Sequence, residues 1–153
     1  MKRPTATIAA LILACAAVFA VPAATAAGSG QTISVVEHPI TDTTTDVGKK
    51  GDSLGDILTF HNPIYDSKDA KKVASDQGYC IRVDVGVSYE CTWTNFLKGG
   101  QIVVQGPYYD AKPSELAITG GTGRYATARG SMRLEAIEGG KGEEEFSFVF
   151  HLR

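Results

Sequence analysis

The stretch GGQIVVQGPYYDAKPSELAITGGTGRYATARG, Gly99 to Gly130, reads as strand, turn, strand and Gly-rich turn, leading into a further strand. Ile102–Gln105 follows the Gly99-Gly100 turn, Leu116–Thr119 ends at Gly120-Gly121, and Ser131–Ile137 comes next. In that last run Met132, Leu134 and Ala136 alternate with Arg133 and Glu135, the period of two that strand side chains follow. Gly120-Gly121-Thr122-Gly123 lacks the Lys-Ser/Thr of a phosphate-cradling loop and opens no clear helix. Glycine's tolerance of positive φ accounts for it as a tight turn.

The pattern extends outward in both directions. Thr32–Glu37 is short and β-branched, and Asp56–Asn62 is a strand stopped by Pro63. Tyr79–Val87 and Ser88–Phe96 form two arms joined near Asp84–Gly86. Glu145–Leu152 closes the chain with Phe146, Phe148, Phe150 and Leu152 on one face. Ile40–Gly55 and Ser67–Gly78 read as polar loops, the second with room for one helical turn, and Glu138–Glu144 as a hairpin connection. About eight short strands separated by Gly, Pro, Asn and Asp turns imply an all-β sandwich or barrel. Periodicity does not choose between the two.

The N-terminus reads differently. Lys2 and Arg3 precede an apolar run from Ala6 to Val21; Pro22 breaks it, and Ala24-Thr25-Ala26 offers small residues for cleavage. This is the pattern of a secretory signal peptide, residues 1–27, with cleavage near Ala26 or Ala27 and a single domain over 28–153. The predicted localisation is therefore extracellular. The mature segment keeps 13 basic against 17 acidic residues, a net charge of −4. That balance argues against nucleic acid or an anionic membrane surface as partner.

His38, His61 and His151 show no metal-type spacing, the cysteines form no CxxC pair, and there is no Gly-x-Ser-x-Gly elbow. No metal and no cofactor is expected. Cys80 and Cys91 lie symmetrically about the turn at Val85-Gly86, so an antiparallel hairpin sets them opposite each other. In an exported protein such a pair is expected to be bridged.

The wording of Gly99–Gly130 resembles the allene oxide cyclases of plants, and GGTGRYATARG also resembles the dirigent proteins. The resemblance covers Ile33 to Arg153 and is densest from Ile102 to Gly123. It implies an eight-stranded antiparallel β-barrel with an apolar central cavity, wide enough for one small ligand. It also implies a homo-oligomer, dimer or trimer, and no cofactor. Four residues match pocket positions of the cyclases: Glu37 at the end of the first strand, Asn62 in FHNPIY, Cys80 in GYC and Tyr108 in QGPY. Pro39 stands where the family has a second asparagine. The dirigent resemblance adds Arg129 as a pocket cation.

The chemistry so implied is that of a reactive small apolar molecule. Glu37 would stabilise a developing cation in a dry pocket. Asn62 would donate to an epoxide oxygen, directly or through a held water, and Tyr108 would orient the substrate. Three functions follow from the resemblance: a cofactor-free cyclase or isomerase, a dirigent-like guide that needs an oxidase partner, or a plain secreted small-ligand barrel. Whether Glu37 faces the cavity separates the first from the third.

Overall fold

The computed structural model describes residues 30–140 and 142–153. The signal peptide expected over residues 1–27 lies outside the described residues. Ten strands follow one another: β1 (Gln31–Glu37), β2 (Thr43–Thr45), β3 (Ile57–Phe60), β4 (Pro63–Asp66), β5 (Lys72–Asp84), β6 (Ser88–Leu97), β7 (Gly100–Tyr109), β8 (Ser114–Gly121), β9 (Gly130–Glu138) and β10 (Glu144–Leu152). The Gly-rich turn closes as a single 3₁₀ turn at Gly123–Tyr125.

Pairing runs β4-β1-β10-β9-β8-β7-β6-β5, and β5 returns to β4, so an eight-stranded antiparallel barrel closes. The expected fold is the observed one, with two further short strands. β3 lies end to end with β4 along one edge of β5: Phe60 pairs with Gly78 and Pro63 with Ser75. Between them Asn62 and Asp76 exchange backbone hydrogen bonds of 3.2 and 3.0 Å. β2 pairs with the outer edge of β3.

Burial follows the two-residue period. Phe146, Phe148 and Phe150 of β10 point inward, as do Leu116 and Ile118 of β8 and Cys91 and Trp93 of β6. Ile102, Ile118, Met132 and Phe150 fill one end of the barrel, where Tyr125 and Ala128 cover them. Gly123 (φ 58°) permits that cover, since a Cβ there would lie 2.3 Å from the carbonyl oxygen of Gly99. The other end, at the close of β1, stays partly open.

Three expectations need correction. Pro63 does not stop a strand but begins β4, the first-residue position where a missing N–H costs no ladder bond. Ser67–Gly78 is not a loop with a helical turn, because β5 starts at Lys72 and runs 13 residues. Its inward position at Asp76 is polar, which hides the period. Ile40–Gly55 contains β2, and the rest of that segment folds around Asp56. The Asp56 carboxylate accepts from Val47 N at 2.8 Å and Ser53 N at 2.7 Å.

Candidate functional site

Glu37 ends β1, opposite Phe146 of β10 and Ile64 of β4. The chain then steps out over His38–Asp42 before it rejoins the same edge as β2. At the same level the neighbouring path breaks at His61-Asn62, between β3 and β4. Polar side chains fill this double interruption. Glu37 is 4% exposed, Asn62 1% and Asp76 0%.

Asn62 organises them. Its Nδ2 donates to Glu37 Oε1 at 2.5 Å and to Asp42 Oδ1 at 2.7 Å. Its Oδ1 accepts from Thr41 N and Thr41 Oγ1, each at 3.0 Å. Its backbone N–H donates to Asp76 Oδ1 at 3.2 Å, while Asp76 Oδ2 is buried without a partner among the described residues.

Glu37 and Asp42 thus share the Asn62 side-chain amide and Asp76 takes its backbone N–H; Glu37 and Asp76 are buried, while Asp42 is exposed at the rim. Burial raises the pKa of Glu37 to about 9; the charges of Asp76 and Asp42 push the same way and the Asn62 amide opposes them. Asp76 rises to about 7, again by burial first, against the Asn62 backbone N–H. Burial also raises Asp42. Burial and the neighbouring carboxyls therefore favour the uncharged form of Glu37, whose Oε1 is engaged by Asn62.

The acid faces a cavity of about 60 Å³ lined by Leu58, Phe60, Trp93, Leu134, Phe146 and Phe148, with Glu37, Asp42, Tyr108 and the Cys80–Cys91 disulfide completing the wall. That volume is small beside the ~300–1,000 Å³ of drug-sized pockets. A recess of about 280 Å³ adjoins it, sharing Tyr108, Leu134 and Phe146 and extending over Asp110–Pro113, Ala136 and Glu144. The recess exists because the wall is incomplete there. β7 pairs with β8 only as far along as Gln105, and β9 pairs with β8 only as far along as Leu134. Tyr108 stands between cavity and recess, 6.0 Å edge-on to Phe146. Burial, then the charges of Glu144 and Asp110, raise its pKa to about 12, so its hydroxyl keeps its proton.

The structure brings Glu37, Cys80, Cys91 and Tyr108 together on one cavity. Asn62 does not line it: all four of its hydrogen-bonding positions are spent on Glu37, Asp42 and Thr41, so none is left for an epoxide oxygen. Arg129, expected in the pocket, is exposed beyond the opposite end of the barrel, where its Nη1 donates to the Ala128 carbonyl. Asp42 and Asp76 were missed, since both lie in segments read as polar loops.

The family model for allene oxide cyclase matches residues 36–139. Among solved structures, a pyocyanin demethylase superposes with a TM-score of 0.66 at 26% identity, over 78% of this chain and 100% of its own. A pterocarpan synthase dirigent protein superposes at 0.67 with 17% identity, over 81% and 87%. A Diels-Alderase from Streptomyces koyangensis superposes at 0.65 with 14% identity, over 81% of this chain and 63% of that one.

Proposed function

Because this chain belongs to the allene oxide cyclase family, we propose that it takes one small, apolar, reactive molecule into the open end of the barrel and directs its cyclisation or isomerisation, with Glu37 as the acid. What supports the reading is the position of Glu37, a buried carboxyl whose uncharged form is favoured by burial, at a mainly apolar cavity. A solvated glutamate would leave only a binding barrel.

The step balances without a redox partner. Glu37 donates its proton to an epoxide or conjugated carbonyl oxygen, and an epoxide C–O bond breaks as its electron pair moves to oxygen. The carboxylate left behind balances the delocalised cation, at short range and with little screening. Ring closure forms a C–C bond, and the new O–H returns its proton to Glu37. Phe60, Trp93, Phe146 and Phe148 hold the chain compact and keep water from the cation. Tyr108, at the narrow point, orients what passes from recess to cavity.

The dirigent reading, a guide that works with an oxidase partner, is less well supported, since Arg129 is remote from the cavity. Secretion is part of the proposal and rests on the N-terminal sequence. A homo-oligomer is likewise proposed, through the exposed row Tyr79, Ile81 and Val83 on the outer face of β5. Light scattering of Ile81→Glu would then give a smaller particle than the parent.

The deciding experiment incubates the purified protein with a panel of allene oxides, other epoxides and pyocyanin, the last because of the demethylase likeness. Isomeric products are separated on a chiral phase. Glu37→Gln should lower turnover by about 10²–10⁴-fold, the usual worth of a general acid. Unchanged turnover in that variant would remove the role assigned to Glu37.

A further inference from the structure

On the outer wall, away from the cavity, three ligating side chains from distant parts of the chain converge. His38 Nε2 lies 2.6 Å from Asp69 Oδ1 and 3.4 Å from Glu145 Oε1. One ligand atom from each residue lies within 4.8 Å of the others. We propose that His38, Asp69 and Glu145 form a binding site for a divalent transition-metal ion of the zinc type.

The convergence follows from the fold. His38 continues β1 past the Glu37–Phe146 pair, which sets it opposite Glu145. Its backbone N–H donates to Pro63 O at 3.1 Å, and its ring stacks on Tyr65 with centroids 4.0 Å apart, so the imidazole is held in place. Asp69 comes from the turn between β4 and β5. The site therefore joins three neighbouring barrel walls, one residue away from the acid Glu37.

The second observation is Glu145 itself. It is 8% exposed, yet its carboxylate makes no hydrogen bond among the described residues and has only the His38 ring nitrogen, at 3.4 Å, before it. A carboxylate so placed, facing the histidine nitrogen, is free to serve as a ligand to a cation. The spacing suits one: two ligands each ~2.0–2.1 Å from a tetrahedral ion lie roughly 3.4 Å apart. Asp69 is closer than that, at hydrogen-bond distance, and must withdraw by just under an ångström when the ion displaces the proton between them. Its side chain is 31% exposed on a turn, so it has room to move. One nitrogen and two carboxylate oxygens favour zinc or its neighbours over calcium. A recess of about 540 Å³ bordered by His38, Pro39, Ile40 and Glu143–Glu145 leaves the fourth position open to water or a ligand.

The test uses the full chain stripped with a chelator, then titrated with Zn²⁺ by calorimetry and with Co²⁺ by visible absorption. One saturable ion per chain is expected, with a higher melting temperature in its presence. Glu145→Gln and Asp69→Asn should each weaken Zn²⁺ at least tenfold. Lack of saturable uptake at about millimolar Zn²⁺ would overturn the proposal and leave His38 as a plain ion-pair partner. So would Zn²⁺ affinity in both variants unchanged from that of the parent. If Glu145→Gln does not fold, Asp69→Asn, on the part-exposed turn, carries the test.

Discussion

Asn62 reaches from the break between β3 and β4 to Glu37 at the end of β1, and its amide nitrogen donates to Oε1 at 2.5 Å. The same nitrogen donates to Asp42, so one neutral amide links two carboxyl groups, with Asp76 beneath its backbone. The arrangement holds Glu37 in one orientation without supplying the positive charge that would ionise it. An acid kept protonated at neutral pH, at the wall of an apolar cavity, is the consequence.

Turnover should therefore fall as pH rises through about 9, where Glu37 loses its proton. The limb should be absent from the residual activity of Glu37→Gln. Initial rates of product formation between pH 6 and 10 check it. A rate that rises through that range would mean the carboxylate, not the acid, is the working form.

Stability should show the same proton. Glu37 and Asp76 have folded pKa values raised above their unfolded ones, to about 9 and about 7. Their contribution is complete below the unfolded values and is lost as pH rises through the folded values. Between pH 5 and 8 the melting temperature should fall, by a few degrees or more for a domain of this size. Asp76→Asn should flatten that slope, as seen by calorimetry at several pH values.

Asn62→Ala tests positioning rather than chemistry. Asn62 opposes the rise in the Glu37 pKa, so removing it should move the alkaline limb to higher pH. kcat should drop while KM changes little. Leaving the buried Glu37 carboxyl without its donor should cost about 1–3 kcal/mol of stability. An unmoved limb in a folded variant would show that Asn62 does not act on Glu37.

The Cys80–Cys91 disulfide closes a loop with a sequence separation of 11 and forms part of the cavity wall. Reduction should lower stability by roughly 2–3 kcal/mol on the loop-entropy scale. Urea unfolding with and without reductant measures this. Intact mass should rise by the mass of two hydrogen atoms on reduction.

The barrel was legible where apolar residues alternate without interruption, as in Phe146–Leu152 and Met132–Ala136. It was not legible across Lys72–Gly78, where inward-pointing Asp76 breaks the hydrophobic period and makes a central strand look like a loop. The same polarity concealed most of the candidate site. Asp42 is exposed among polar neighbours and Asp76 is buried between polar ones, so nothing local marks either as part of a site.

Read by itself, the sequence determined the all-β class and set Cys80 opposite Cys91, because both follow from local period and turn position. The family resemblance it carries placed Glu37 and Tyr108 at the pocket. The protonation of Glu37, the role of Asn62, the position of Arg129 and the meeting of His38, Asp69 and Glu145 were decided only by tertiary structure. Each depends on which groups remain close once strands distant in sequence are paired, and on how much water that pairing removes. Charge and coordination respond to distance and burial, and spacing along the chain encodes neither.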